Sequence, residues 1–287
     1  MDGERLFCDT ALAARIEQAE ARFVAACSDA ARTRRGDATG FARPLGGGVA
    51  SFAEADSPFN KVAGLGFAGP PEDLDEVEDA FAELGAPVQV ELCHLADPTV
   101  GTFLTARGYR LESYENVLGR RLGGPVEAAG GEVRPCRADE LETWLSAVAG
   151  ASMVTDTEGL PSHEDFTPEI IVNALRDMAG VRRYTAERNG EFAGGASFRV
   201  TDGIAQFAGA ATMPAHRRRG IQTALLRTRL AEATAAGCDV AIVTTLPGSK
   251  SQQNAQRQGF DLLYARAILV KGTSATSSSG ADSRQAS

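Results

Sequence analysis

Apolar positions recur at helical spacing from the start of the chain. Leu12, Ile16, Ala19 and Phe23 share one face and predict a helix over residues 11–31. Short alternating runs at 49–53 and 61–67 predict strands, with a loop carrying Gly36, Gly40 and Pro44 before them. Pro70, Pro71, Glu72 and Asp73 suit the first turn of a helix running to Leu84. A strand at 88–92, a helix at 99–107 stopped by Gly108 and a strand at 114–122 follow. After a Gly/Pro/Ala stretch the pattern restarts at Glu132. Asp139 is the expected cap of a helix to Ala151, and Thr167-Pro168 opens another to Ala179. Strands at 181–187 and 191–200 are joined by Asn189-Gly190, a strong hairpin signal. A strand at 204–212, a basic turn at 216–220, a helix at 221–236 closed by Gly237 and a strand at 240–245 come next. A short helix at 251–258 and a last strand at 260–270 complete the pattern.

The two halves rhyme. Strand 88–92, a short helix, Arg107-Gly108-Tyr109 and a strand with Tyr114 match strand 240–245, a short helix, Gln258-Gly259-Phe260 and a strand with Tyr264. The repetition predicts two tandem α/β units of α+β type, each a mixed, mostly antiparallel sheet flanked by helices. The expected division is a first domain over 1–122, a linker over 123–131, a second domain over 132–271 and an unstructured Ser/Thr/Gly/Ala tail over 272–287.

The chain has 287 residues, long enough for two such units, and 43% of them are hydrophobic. Its net charge of −9 argues against a nucleic-acid coat or an anionic-membrane binder. The 5 cysteines are scattered without a C-x-x-C pair, so neither a disulfide framework nor a zinc site is expected. Met1-Asp2-Gly3-Glu4 lacks a basic leader and no apolar stretch is long enough to span a bilayer; the expected setting is cytoplasmic, without metal.

One junction stands out chemically. The strand at 204–212 runs through Met213 into His216-Arg217-Arg218-Arg219-Gly220 and directly into a helix starting Ile221-Gln222-Thr223. A helix N-terminus presents free N–H groups and partial positive charge, and Gly220 permits close backbone approach. Three consecutive arginines repel one another unless an anion compensates. The junction is therefore expected to hold a pyrophosphate. The earlier Gly64-x-Gly66-x-x-Gly69 has the form of a dinucleotide fingerprint, but Pro70-Pro71 and the acids Glu72, Asp73 and Asp75 follow it and would repel phosphate.

Arg217-x-x-Gly220-x-Gln222, with its strand before and helix after, resembles the Arg/Gln-x-x-Gly-x-Gly/Ala motif of the GNAT superfamily of acyl-CoA N-acyltransferases; Gln222 replaces the family's small residue. The resemblance covers about residues 131–271 and implies acetyl-CoA as acyl donor. Ala211, Thr212 and Met213 would bind the pantetheine arm. Arg217, Arg218, Arg219, Gly220, Ile221, Gln222 and Thr223 would bind the pyrophosphate, with Asn254 contacting the cofactor from the next helix. The family's usual tyrosine acid falls at Ala255, so Tyr264 is the candidate acid. For a base, His163 is the candidate, in a loop with Asp156, Glu158, Glu164 and Asp165 placed where the family's acceptor lid lies. The first half resembles a degenerate repeat that walls the acceptor cleft, where Phe59 and Asn60 are possible linings. The expected activity is direct transfer of an acyl group, acetyl in the first instance, to a primary amine of a small molecule or peptide, in a monomer or homodimer. The alternative is an acyl-CoA-binding sensor without catalysis.

Overall fold

The computed structural model describes residues 5–36, 39–124, 133–154 and 165–272. The first half of the chain contributes α1 (Thr10–Arg35), β1 (Phe41–Leu45), β2 (Gly48–Phe52), β3 (Lys61–Ala63), α2 (Leu74–Glu83), β4 (Val88–Cys93), α3 (Pro98–Ala106) and β5 (Arg110–Arg121). The second contributes β6 (Val133–Pro135), α4 (Leu141–Met153), α5 (Pro168–Asp177), β7 (Arg182–Arg188), β8 (Glu191–Thr201), β9 (Ile204–Thr212), α6 (Ile221–Ala235), β10 (Val240–Thr245), α7 (Lys250–Arg257) and β11 (Asp261–Lys271).

Local chemistry explains most boundaries. The Asp9 side chain accepts from Leu12 N–H at the start of α1, a cap that contributes about 1 kcal/mol. Thr167 caps α5 in the same way, with Pro168 in its first turn. Asn189 and Gly190 both take positive φ, as a two-residue hairpin requires. Several expectations shift. α2 starts at Leu74, so Pro70-Pro71 lie before it and not in its first turn, and β5 starts already at Arg110. A strand, β1, lies within the predicted loop; its Pro44 is tolerated because β1 is the sheet edge. β3 ends at Ala63 because Gly64 (φ 80°) and Gly66 (φ 102°) turn the chain out of the sheet. Asp139 does not cap α4; it sits in a 3₁₀ turn and Glu140 takes the cap position.

All eleven strands form one mixed, mostly antiparallel sheet in the order β1-β2-β3-β4-β11-β5-β10-β9-β8-β7-β6. Parallel pairing occurs between β3 and β4 and between β9 and β10. The halves exchange strands: β11 from the chain's end lies between β4 and β5, and β5 lies between β11 and β10. The rhyming β4–α3–β5 and β10–α7–β11 units thus each insert their last strand into the other. The linker expected at 123–131 and the tail expected at 272–287 fall largely outside the described residues.

Alternation of side chains along the strands assigns the helices to faces. α1, α4 and α5 cover one face, with Phe23, Trp144, Leu145 and Leu175 in its core. α6 and α7 cover the other, packing Ile221, Leu225, Leu230 and Ala255 on Phe198, Phe207 and Phe260. α2 and α3 continue that second face over Val62, Val90 and Leu269. α1 therefore lies across the middle of the sheet, over the exchanged strands.

Candidate active site

The site starts from a gap between two parallel strands. β9 and β10 pair from Ile204/Val240 to Phe207/Val243. β9 then continues to Thr212 and β10 to Thr245 without further pairing between them. On its other side β9 stays bonded to β8, through a bulge centred on Gly209 (φ 53°). A bulge bends its strand and re-aims it. The result is a splay whose β9 edge, at Ala210, Ala211 and Thr212, lines a cavity of about 640 Å³.

The splay leads to the basic turn. Arg218 takes φ 59° and Gly220 φ 82°, the left-handed conformation that glycine adopts without strain. No side chain caps α6, and its first intrahelical bond runs from Ala224 N–H to Gly220. The N–H groups of Ile221, Gln222 and Thr223 are therefore without helical acceptors, and all three residues line the cavity. Arg217 also lines it, but its guanidinium acts as a brace. It donates to the carbonyls of Ala151 (3.1 Å), Val154 (2.6 Å) and Thr212 (3.4 Å), fastening the end of α4 onto the turn. Gln222, the departure from the motif, accepts from Asn254 Nδ2 at 2.6 Å and so joins α6 to α7.

Among the described residues, charge in the cavity has one sign: Arg217, Arg218, Arg229, Lys250 and Arg257 line it, and no described carboxylate does. Arg229 is 4% exposed and has no acidic partner among the described residues. It donates to Leu225 and Ser197 carbonyls (3.2 and 3.0 Å) and lies 4.6 Å over the Phe207 ring. Burial pulls its pKa down to about 9. Such a chamber suits an elongated anionic ligand.

Of the expected cofactor contacts, Ala211, Thr212, Arg217, Arg218, Gly220, Ile221, Gln222, Thr223 and Asn254 line this one cavity. Met213 and Arg219 do not. Met213 N–H is spent on the Ala193 carbonyl, and the Arg219 carbonyl accepts from Arg188. Tyr264 is placed elsewhere and is corrected as an acid candidate. It is 1% exposed, under α1, and its hydroxyl donates to Glu17 at 2.6 Å. Burial and the Glu17 charge hold its phenol well above the ordinary value, the wrong direction for releasing a proton. His163, with Asp156, Glu158 and Glu164, lies outside the described residues. Phe59 packs edge-on against Phe23, and Asn60 braces its own loop through Ala53 and Glu54. Among the described residues no group of three or more His, Cys, Asp or Glu is placed to hold a metal, and no helix is long and apolar enough to cross a membrane.

Sequence reasoning missed Ser152, Arg229, Lys250 and Arg257 in the cavity. It also missed a charged cluster beneath α1. Glu17, Glu91 and Arg266 are at most 1% exposed and gather with Tyr264. Arg266 Nε donates to Glu17 Oε1 (2.8 Å), and its Nη1 lies 3.4 Å from Glu91. The available signal was a charge at an inward position of an apolar strand, as at Glu91 and Arg266.

Residues 147–260 match the sequence profile of the acetyltransferase (GNAT) family. No curated protein matches the chain in sequence. Its fold is similar to a GCN5-related N-acetyltransferase from Kribbella flavida (TM-score 0.64, 19% identity, 91% of this chain and 95% of that one covered). It is also similar to a tandem GNAT protein from the clavulanic acid biosynthesis pathway (0.57, 12%, 87% and 88%). A third similar fold is a GCN5-related N-acetyltransferase from Sphaerobacter thermophilus (0.53, 15%, 90% and 93%).

Proposed function

We propose, from the premise that residues 147–260 constitute a domain of the acetyltransferase (GNAT) family, that this chain is an acyl-CoA-dependent N-acyltransferase. Its donor is acetyl-CoA in the first instance, and its acceptor is a primary amine of a small molecule or peptide. The observation that carries the reading is the splayed β9 edge opening onto the uncapped N-terminus of α6 inside a cavity whose described charged linings are basic. The free N–H groups of Ile221, Gln222 and Thr223, with Arg218, suit the pyrophosphate. The unpaired edge at Ala210–Thr212 suits the amide-bearing pantetheine arm, which hydrogen-bonds there as an added strand does. Lys250 and Arg257 on α7 add positive charge at the cavity wall for the outer phosphate.

The bound thioester supplies the acyl group, and the chain's own contribution is placement. The amine attacks the carbonyl directly, and backbone N–H groups of the β9 edge stabilise the developing oxyanion. No cysteine takes part: burial raises the thiols of Cys8, Cys27, Cys93, Cys136 and Cys238 above the ordinary value, away from nucleophilic thiolate. A second reading, an acyl-CoA-binding module without turnover, is favoured by Ala255 standing where the family carries a tyrosine and by Tyr264 being tied to Glu17. Calorimetry with acetyl-CoA and release of free thiol with a panel of amines separate the readings. Binding with turnover supports the enzyme, and binding without turnover supports the module. No binding removes both.

A further inference from the structure

We infer that the acyl acceptor is a cationic amine reaching the α1 face of the sheet beside the end of β10, and that Glu115, carried on β5 of the first half, is the base that takes its proton. This rests on the acyltransferase reading above and adds what that reading lacks, a group on the acceptor side.

The placement follows from strand register. Asn116 pairs with Thr245, the last residue of β10, so Glu115 lies one step beyond the end of β10, level with the splay. Asn116 points to the α7 face, where its amide bonds Gln252 (3.3 Å). Glu115, one residue on, points to the α1 face, beside Arg266, with which it is paired across β11. The donor cavity opens on the α6–α7 side of the splay, and Glu115 stands on the opposite side. Before the splay, where β9 is still paired with β10 at Gln206/Ile242, Gln206 donates to Glu20 of α1 at 3.1 Å. Glu115 stands level with the splay on that same α1 face.

The α1 side of this end is acidic and incompletely satisfied. Glu17, Glu20, Glu91 and Glu115 face Lys61 and Arg266, and Arg199 of β8 lies near Glu20. Lys61 pairs with Glu91, and Arg266 pairs with Glu17 and Glu91. Glu115 stands 3.8 Å from Arg266 Nη1, its looser ion pair. Arg266 Nη2 and Glu17 Oε2, on side chains at most 1% exposed, have no hydrogen-bond partner among the described residues. Glu115 is more open than the buried acids of the group: its side chain is 22% exposed, against 1% for Glu91 and 0% for Glu17. An ammonium entering here meets surplus negative charge, while an anionic acceptor is repelled.

Glu115 is also tuned for the task. Burial, followed by the Glu91 charge, pushes its carboxyl up to about 7, against the pull of Lys61 and Arg266. The groups facing it are Glu91 on β4, Arg266 and Tyr264 on β11, Lys61 on β3, and Glu17 and Glu20 on α1. In the reaction the Glu115 carboxylate accepts one proton from the ammonium. The freed nitrogen pair forms the C–N bond, the C–S bond breaks, and its electron pair leaves on the sulfur as thiolate. The amide nitrogen loses its second proton to solvent, and the thiolate is protonated.

The test compares wild type with E115Q and E115D, using acetyl-CoA with putrescine, a lysyl peptide and taurine. E115Q is expected to bind acetyl-CoA within about twofold of wild type and to lose about 10²–10⁴ in kcat. The wild-type kcat/KM is expected to rise with pH through about 7, a limb that E115Q lacks and E115D keeps in shifted form. Putrescine and the lysyl peptide are expected to outpace taurine by at least about tenfold. E115Q with wild-type kcat and pH profile overturns the inference while leaving the acyltransferase reading in place. An acetyl-CoA-loaded wild type that acylates none of the amines, or a failure of acetyl-CoA to bind at all, overturns the acyltransferase reading and the inference with it. Should E115Q not fold, E115D and the wild-type pH limb decide: an unshifted limb overturns the proposal.

Discussion

The two halves carry the same β–α–β unit to opposite ends. In the second half the parallel pair β9/β10 separates and leaves its edge open to a cavity. In the first, β3 and β4 pair at Val62/Val90, and the chain leaving β3 fills the corresponding space. Asp97 N–H donates to the Gly66 carbonyl at 2.8 Å, and a Cβ at Gly66 would stand 2.3 Å from that of Ala96. The helix N-termini differ as sharply. α6 follows Arg217-Arg218-Arg219-Gly220, whereas α2 has Asp75 and Glu76 in its first turn, and Arg107 neutralises Asp75 and Glu78. The comparison teaches that the two features suited to an anion, an open strand edge and a helix start of the right sign, occur together in the second half. The first half lacks both.

The most damaging way to probe this comparison is at the seam the halves share. Arg266→Ala leaves Glu17 buried without its cation and removes one of the cations that Glu91 faces. It is expected to cost about 3–5 kcal/mol, measured by urea unfolding. Because β5 and β11 are exchanged, the wild type is expected to unfold in one transition; two separated transitions would break the premise that the halves are interlocked. Gly66→Ala comes next. Its φ of 102° and the contact with Ala96 predict a loss of about 2–3 kcal/mol, with acetyl-CoA affinity unchanged. A fully stable Gly66→Ala protein would show that the first splay is not closed by its own chain.

Arg218→Glu is exposed and braces nothing else, so stability should hold while acetyl-CoA affinity falls by about 10–100-fold, roughly 1.4–2.8 kcal/mol. Calorimetry checks it, and unchanged affinity would remove the turn from the site. The smallest expected effect is from the double change Asp75→Arg and Glu76→Arg. It supplies charge at α2 but leaves the slot filled, so calorimetric stoichiometry should stay at one acetyl-CoA per chain. A second site would mean that sign alone separates the halves.

Much of this architecture was legible in advance, and the limits are specific. The basic turn, Gly220 and Gln222 were visible because a strand end, a turn and a helix start lie within a few consecutive residues. Arg229 was not, because an arginine on a periodic helix reads as solvated until the sheet under it is known. Lys250 and Arg257 were missed for the same reason: their helix reveals its cavity-facing side only after it docks. Tyr264 was singled out by its position after Gly259-Phe260, but its hydroxyl faces α1, and strand alternation cannot tell which face is occupied by what. Glu115 drew no attention, since a glutamate in a strand with Glu112 and Arg110 nearby looks like an exposed edge.

The sequence by itself determined what short-range chemistry can determine: most helices and caps such as Thr167, the hairpin at Asn189-Gly190, the repetition of the α/β unit, and one uncapped helix start preceded by a basic turn. Those depend on periodicity, backbone conformation and neighbouring side chains, all encoded within a few residues. Tertiary structure alone decided that β5 and β11 change places, that one splay is open and the other filled, and that Glu17, Glu91, Glu115 and Arg266 meet beneath α1. Strand pairing between distant segments is chosen by the packing of the whole sheet. The charge environment of a side chain comes into being only when those segments are brought together.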